Sequence, residues 1–284
     1  MKKSLLLVFV FIVIQIVFGI IASLFVDMTP GNAPATSPVN SPSYVWALCI
    51  SLLLSNLLII VIVYFFMKRR NDVYSPMERQ NETATEDRDN TARCPFVGQF
   101  KRPANSFIVI LTFLTMIPLM YFLNCINETF KIPDLLQNEV KEIAFNPIGV
   151  ITVAIVGPIA EEICFRMGVI NLLRNKGTTN HRAIFISAVI FAVIHFNPAQ
   201  MFCAFILGLF LGFLYVKTKS LVLPIACHIF NNGLSIILGW TFGIEHKMSD
   251  WYTAPTYYYC SIALAALVTV FFFGLLKKKI VAAS

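Results

Sequence analysis

The chain has 284 residues, 57% of them hydrophobic and only 13% charged, with a formal net charge of +7. Soluble domains carry about a quarter charged residues, so this composition excludes a soluble globular protein. It predicts an all-α, polytopic membrane protein of about eight transmembrane helices, with the lipid bilayer as its solvent.

Apolar runs long enough to cross about 30 Å of hydrocarbon begin at residues 4 to 26 and 45 to 67. The first exceeds the short apolar core of a signal peptide and no A-x-A site follows it, so it reads as a helix. These two form a front section, residues 1–67. Residues 68–104 carry mixed charge with no apolar period, the signature of a disordered cytoplasmic loop. A six-helix section, 105–284, follows. Its long runs are 105 to 125, 147 to 173, 199 to 216, 220 to 240 and 256 to 276. A shorter eighth run, 183 to 196, is bounded by Arg182 and by Asn197-Pro198. In the segment 130–145, Leu135, Leu136, Val140 and Ile143 fall near one helical face, which predicts a surface-lying helix.

Lysine and arginine order these runs in the membrane. With the N-terminus inside, all 22 fall on cytoplasmic segments except Lys131, Lys141, Lys247 and the intramembrane Arg166. Such asymmetry marks the cytoplasmic side, places both termini there, and explains the net charge without a nucleic-acid partner. The seven cysteines show no C-x-x-C spacing and suggest neither a disulfide framework nor a metal cluster. His181 and His246 fall at polar boundaries and read as surface residues.

The remaining polar residues lie inside apolar runs, where a charge costs several kcal/mol and normally marks function. "GPIAEEICFRMG" holds Glu161, Glu162 and Arg166; "FAVIHF" holds His195; "HIFNN" holds His228 and Asn232. Residues four apart share a helix face, so Glu162 pairs with Arg166, and Glu161, about 100° away, is left as a base. Glu161, His195 and Asn232 each lie thirteen residues from a cytoplasmic boundary, at Arg174, Arg182 and Lys219, or about 20 Å of helical rise. A single buried site accounts for that common depth. A carboxylate and an imidazole can activate water, while a second imidazole and an amide can stabilise the oxyanion formed on a carbonyl. No serine or cysteine nucleophile competes with this arrangement. Zinc held by Glu161, His195 and His228 is an alternative, although H-E-x-x-H is absent.

These motifs are similar to those of the CAAX prenyl protease and bacteriocin-processing family, also called Abi, of intramembrane endopeptidases. The family's E-E-x-x-x-R is Glu161, Glu162 and Arg166; its F-x-x-x-H is Phe191 and His195; its H-x-x-x-N is His228 and Asn232. The resemblance covers about residues 149–240, with Gly208, Gly212 and Pro224 also in familiar places; Met167 departs from the family's usual glycine, which here follows at Gly168. It implies a glutamate-type protease in which Glu161 and His195 activate water and His228 and Asn232 hold the oxyanion, with Glu162, Arg166 and Phe191 in support and no cofactor favoured. The implied substrate is a peptide or membrane-protein segment, such as a prenylated CAAX peptide or a peptide or bacteriocin precursor. The low elaboration of the chain, 284 residues with little beyond eight helices, suits a prokaryotic single-domain enzyme and so a bacterial plasma membrane. A non-catalytic bacteriocin-immunity protein and a transporter using Glu161 and His195 as a proton relay are the readings from other classes.

Overall fold

The computed structural model describes residues 2–27, 42–68, 99–100, 105–243 and 246–283. The expected loop at 68–104 lies almost wholly outside the described residues. Those described contain no strand. Their helices are α1 (Lys2–Asp27), α2 (Pro42–Lys68), α3 (Ser106–Thr129), α4 (Gln137–Ala144), a long interrupted α5 (Pro147–Arg174), α6 (Asn180–Val193), α7 (Pro198–Thr218), α8 (Val222–Phe242) and α9 (Pro255–Ala283). Seven of them, all but α4 and α6, are long and apolar enough to cross a membrane.

The eighth expected crossing is α6, whose 14 residues rise about 21 Å, short of the hydrocarbon thickness. It begins and ends three residues before the apolar run. The cause lies downstream: Asn197 precedes Pro198, proline disfavours helical conformation in the residue before it, and Asn197 is extended at φ −132°, ψ 112°. The surface helix is likewise shorter than its apolar face suggests. Only Gln137–Ala144 is helical; Lys131 takes φ +49°, Pro133 interrupts the backbone donors, and Leu135 is exposed.

The described chain divides into two compact units, one of residues 1–101 and 136–187, the other of residues 102–135 and 188–284. In the first, α1 and α2 pack along each other and α5 packs against both. A polar cluster joins α1 to α2 inside the membrane. Gln15 donates to Asn56 Oδ1 (3.3 Å), Ser55 donates to Gln15 Oε1 (2.9 Å), and Ser51 donates to the Phe18 carbonyl. Without water to drive apolar association, such bonds and small residues hold membrane helices together. Gly149 lets α5 approach its neighbours, since a Cβ there would stand 2.2 Å from the Ile143 carbonyl oxygen.

In the second unit, α3 runs against α9, and a core of Met116, Leu123, Leu211, Leu214, Cys227 and Leu276 fills the space between α3, α7, α8 and α9. At one end of α3, the Glu128 carboxylate accepts from the Met248 and Ser249 amides (2.8 and 3.2 Å). This caps the 3-10 turn Met248–Trp251, whose first amides have no partner within the turn.

Candidate active site

Interrupted α5 carries the acidic motif. Pro158 has no N–H to offer the carbonyl four residues earlier, and its ring presses on that carbonyl. A π turn over Thr152–Val156 takes up the misfit, one of the local adjustments that let proline sit in a membrane helix. The Gly157 N–H reaches back to the Thr152 carbonyl, and a Cβ at Gly157 would stand 3.0 Å from that oxygen. An α segment, Gly157–Glu162, follows, and then a second π segment, Ile163–Ile170. Both glutamates therefore close an α segment, and Arg166 sits in a π segment. Such π segments concentrate at functional sites, and nothing in the apolar pattern announces them.

Across that junction Arg166 Nε lies 2.9 Å from Glu162 Oε2, with both side chains wholly buried. A buried ion pair is tolerated only with close geometry, because desolvating each charge costs several kcal/mol. Glu161, by contrast, is half-buried. The π segment is fastened on two sides: Ser187 of α6 donates to the Phe165 carbonyl (3.2 Å), and the Phe165 ring meets Phe11 of α1 edge-on at 5.7 Å. Met167 is fully buried, whereas a Cβ at Gly168 would meet the Leu7 side chain at 2.5 Å. The close approach of α1 thus falls on Gly168.

In the second unit, His195 does not stand on a helix. The ladder winds down through His195 N–H to the Ala192 carbonyl (3.1 Å) and Phe196 N–H to the Val193 carbonyl (3.3 Å), and Phe196 is left-handed at φ +50°. The imidazole is held by a 2.7 Å contact between its Nδ1 and the Phe191 carbonyl. A carbonyl oxygen can only accept, so this bond forms when Nδ1 carries the proton, and the neutral ring then presents a lone pair on Nε2. Phe191, 1% exposed, orders both histidines. Its ring stands edge-to-face with His195 (5.0 Å, 82°) and with His228 of α8 (5.8 Å, 85°). Gly208 of α7 makes room for that ring, since a Cβ there would lie 3.2 Å from Ala188 and 3.3 Å from Phe191.

His228 is 3% exposed. Asn232, one turn on, is half-buried, and its Oδ1 accepts from Asn231 Nδ2 at 3.0 Å, which turns its amide N–H2 away from Asn231 as a donor. The structure thus brings Glu162 to Arg166 in one unit, and gathers Phe191, His195 and His228 in the other. Sequence reasoning passed over Asn231, Ser187 and Asn197; the last served only as a helix boundary.

Residues 143–234 match the family model of type II CAAX prenyl endopeptidases, Rce1-like. The chain is 36% identical over 92 residues to "Putative membrane peptidase YdiL" of Bacillus subtilis (strain 168), covering 32% of this chain and 37% of that protein. It is 34% identical over 96 residues to "Membrane-embedded CAAX protease MroQ" of Staphylococcus aureus (strain USA300), covering 32% of this chain and 39% of that protein. The chain thus spans less than two fifths of the length of each of these relatives. No solved structure matches it. The matched segment contains α5 through the first half of α8, and with it every residue of the three motifs, so the similarity to type II CAAX prenyl endopeptidases rests on this third of the chain.

Proposed function

We propose that the protein is a membrane-embedded endopeptidase that hydrolyses a peptide bond with water activated by Glu161 and His195, and stabilises the oxyanion with His228 and Asn232. The observation that carries this reading is the bond between His195 Nδ1 and the Phe191 carbonyl. It fixes the tautomer in which Nε2 can take a proton from water, the requirement of a general base. The two glutamates divide the remaining work. Glu162, buried and paired with Arg166, holds the helix; Glu161, half-buried beside it, is the carboxylate that water can reach. The Asn232 amide, its oxygen engaged by Asn231, supplies an N–H donor for the developing negative charge.

The reaction balances without a covalent intermediate. Water gives a proton to the base as its oxygen bonds to the peptide carbonyl carbon. The tetrahedral oxyanion collapses, the C–N bond breaks, and the proton passes to the leaving amine. No metal is assigned to this step.

Both relatives bear peptidase names, and the CAAX protease name points to a peptide segment at the membrane as substrate. The lysine and arginine asymmetry supports an orientation with both termini in the cytoplasm, in what we take to be a bacterial plasma membrane. The test is cleavage of lipidated and unmodified peptides by the purified protein in liposomes, read by mass spectrometry with and without a strong zinc chelator. Chelator-insensitive cleavage supports the reading. Chelator-sensitive cleavage restored by zinc replaces it with a metal site at Glu161, His195 and His228, and proton-coupled flux without any cleaved product replaces it with transport.

A further inference from the structure

His195 lies beyond the end of α6, so the helix ladder does not by itself fix where the imidazole stands. The next residue, Phe196, holds a left-handed backbone that side-chain-bearing residues avoid, and its own side chain is 66% exposed. Such a conformation persists only where the surroundings over-determine it. The surroundings here are Asn197, which has no exposed surface. Its Nδ2 donates to Asp134 Oδ1 at 2.8 Å, its Oδ1 accepts from the Leu135 amide at 3.0 Å, and its backbone carbonyl accepts from Met201 N–H at 2.7 Å. The Ala199 amide adds a bond to the Pro133 carbonyl at 3.1 Å. The strap 133–135 is thereby laced to the corner that carries His195, all within the second unit.

We infer that Asn197, through Asp134 and the Leu135 amide, is the positioning residue that sets the orientation of His195. Its orienting power lies in geometry: a buried amide with both oxygen and nitrogen committed cannot rotate without leaving a polar group unpaired. Asp134 is the outer half of the same device. It is exposed, so its replacement tests the tie without opening the core.

The kinetic arm rests on the peptidase reading; the spectroscopic arm does not. In the first arm, Asn197→Asp sets a carboxylate against Asp134 and should lower kcat roughly 100-fold, the scale of a small misplacement of a catalytic group, with KM unchanged. Asp134→Ala should lower kcat in the same direction, while Asp134→Asn keeps an acceptor oxygen and should keep activity. The double variant Asn197→Asp/Asp134→Asn reverses donor and acceptor and should restore most of the loss. In the second arm, 15N-histidine spectra, with the His195 signal assigned by His195→Gln, should show Nδ1 protonated in wild type and a mixed tautomer in Asn197→Asp and Asp134→Ala. Unchanged His195 signals in both variants would overturn the inference whatever the activity. If wild type cleaves nothing but the tautomer shifts as stated, the positioning holds and the peptidase reading fails. Should Asn197→Asp not fold, the Asp134 variants decide alone.

Discussion

The Phe191 carbonyl oxygen lies 2.7 Å from His195 Nδ1, and the ring of the same phenylalanine stands edge-on to His195 and to His228. One residue therefore sets a tautomer by its backbone and the tilt of two imidazoles by its side chain. Replacing it with leucine keeps the carbonyl and most of the volume but removes both edge contacts, each worth about 0.5–1.5 kcal/mol. Phe191→Leu should lower thermal stability modestly and activity more strongly. A variant with wild-type turnover in the liposome assay would show that the ring does not order the histidines.

Gly208 bears on the same ring from α7. A methyl at this position would enter space 3.2 Å from Ala188 and 3.3 Å from Phe191, tighter than ordinary contact, and the Ala188 backbone cannot turn aside as a long side chain would. Overpacking of this kind costs about 1–3 kcal/mol. Gly208→Val should therefore lower the melting temperature and turnover together, with Gly208→Ala between it and wild type. Melting curves and single-turnover rates on the three proteins test this ordering.

Arg166 and Glu162 should behave as one unit. Removing one member of a wholly buried ion pair strands the other and costs about 3–5 kcal/mol. Arg166→Met and Glu162→Gln should each melt far below wild type, and the double variant should cost less than the sum of the two. Additive losses in a double-mutant cycle would show that the pair is not coupled.

The polar cluster between α1 and α2 lies outside the segment that matches the family model, yet α1 rests on the π segment that holds Arg166. Interhelical hydrogen bonds in membranes average about 0.6 kcal/mol. Gln15→Leu should thus cost little stability, whereas Phe11→Ala, which removes the contact on Phe165, should cost several times more. Equal melting temperatures for the two variants would contradict this account of how α1 supports α5.

Much of this arrangement is legible in the sequence because membrane insertion writes itself in hydropathy. Six of the seven long apolar runs are helices within four residues of their expected bounds, the last, α9, runs on past its apolar stretch to Ala283, and Glu162 and Arg166 meet because residues four apart share a face. Other features depend on relations that apolar periodicity does not encode. The π segments follow from Pro158 and from hydrogen-bond register. His195 leaves its helix because Asn197-Pro198 bars helical backbone there. The partners of Asn197 lie 62 and 63 residues upstream, beyond any local pattern, and the strap that holds them occupies part of what the apolar face suggested was helix.

The division of labour between two adjacent glutamates is the central claim, and it is tested most directly by purifying Glu161→Gln and measuring both its melting temperature and its cleavage of a peptide that wild type cuts. The account predicts a protein as stable as wild type that cleaves nothing above background. Wild-type cleavage by Glu161→Gln would contradict it and leave the water-activating role to another group.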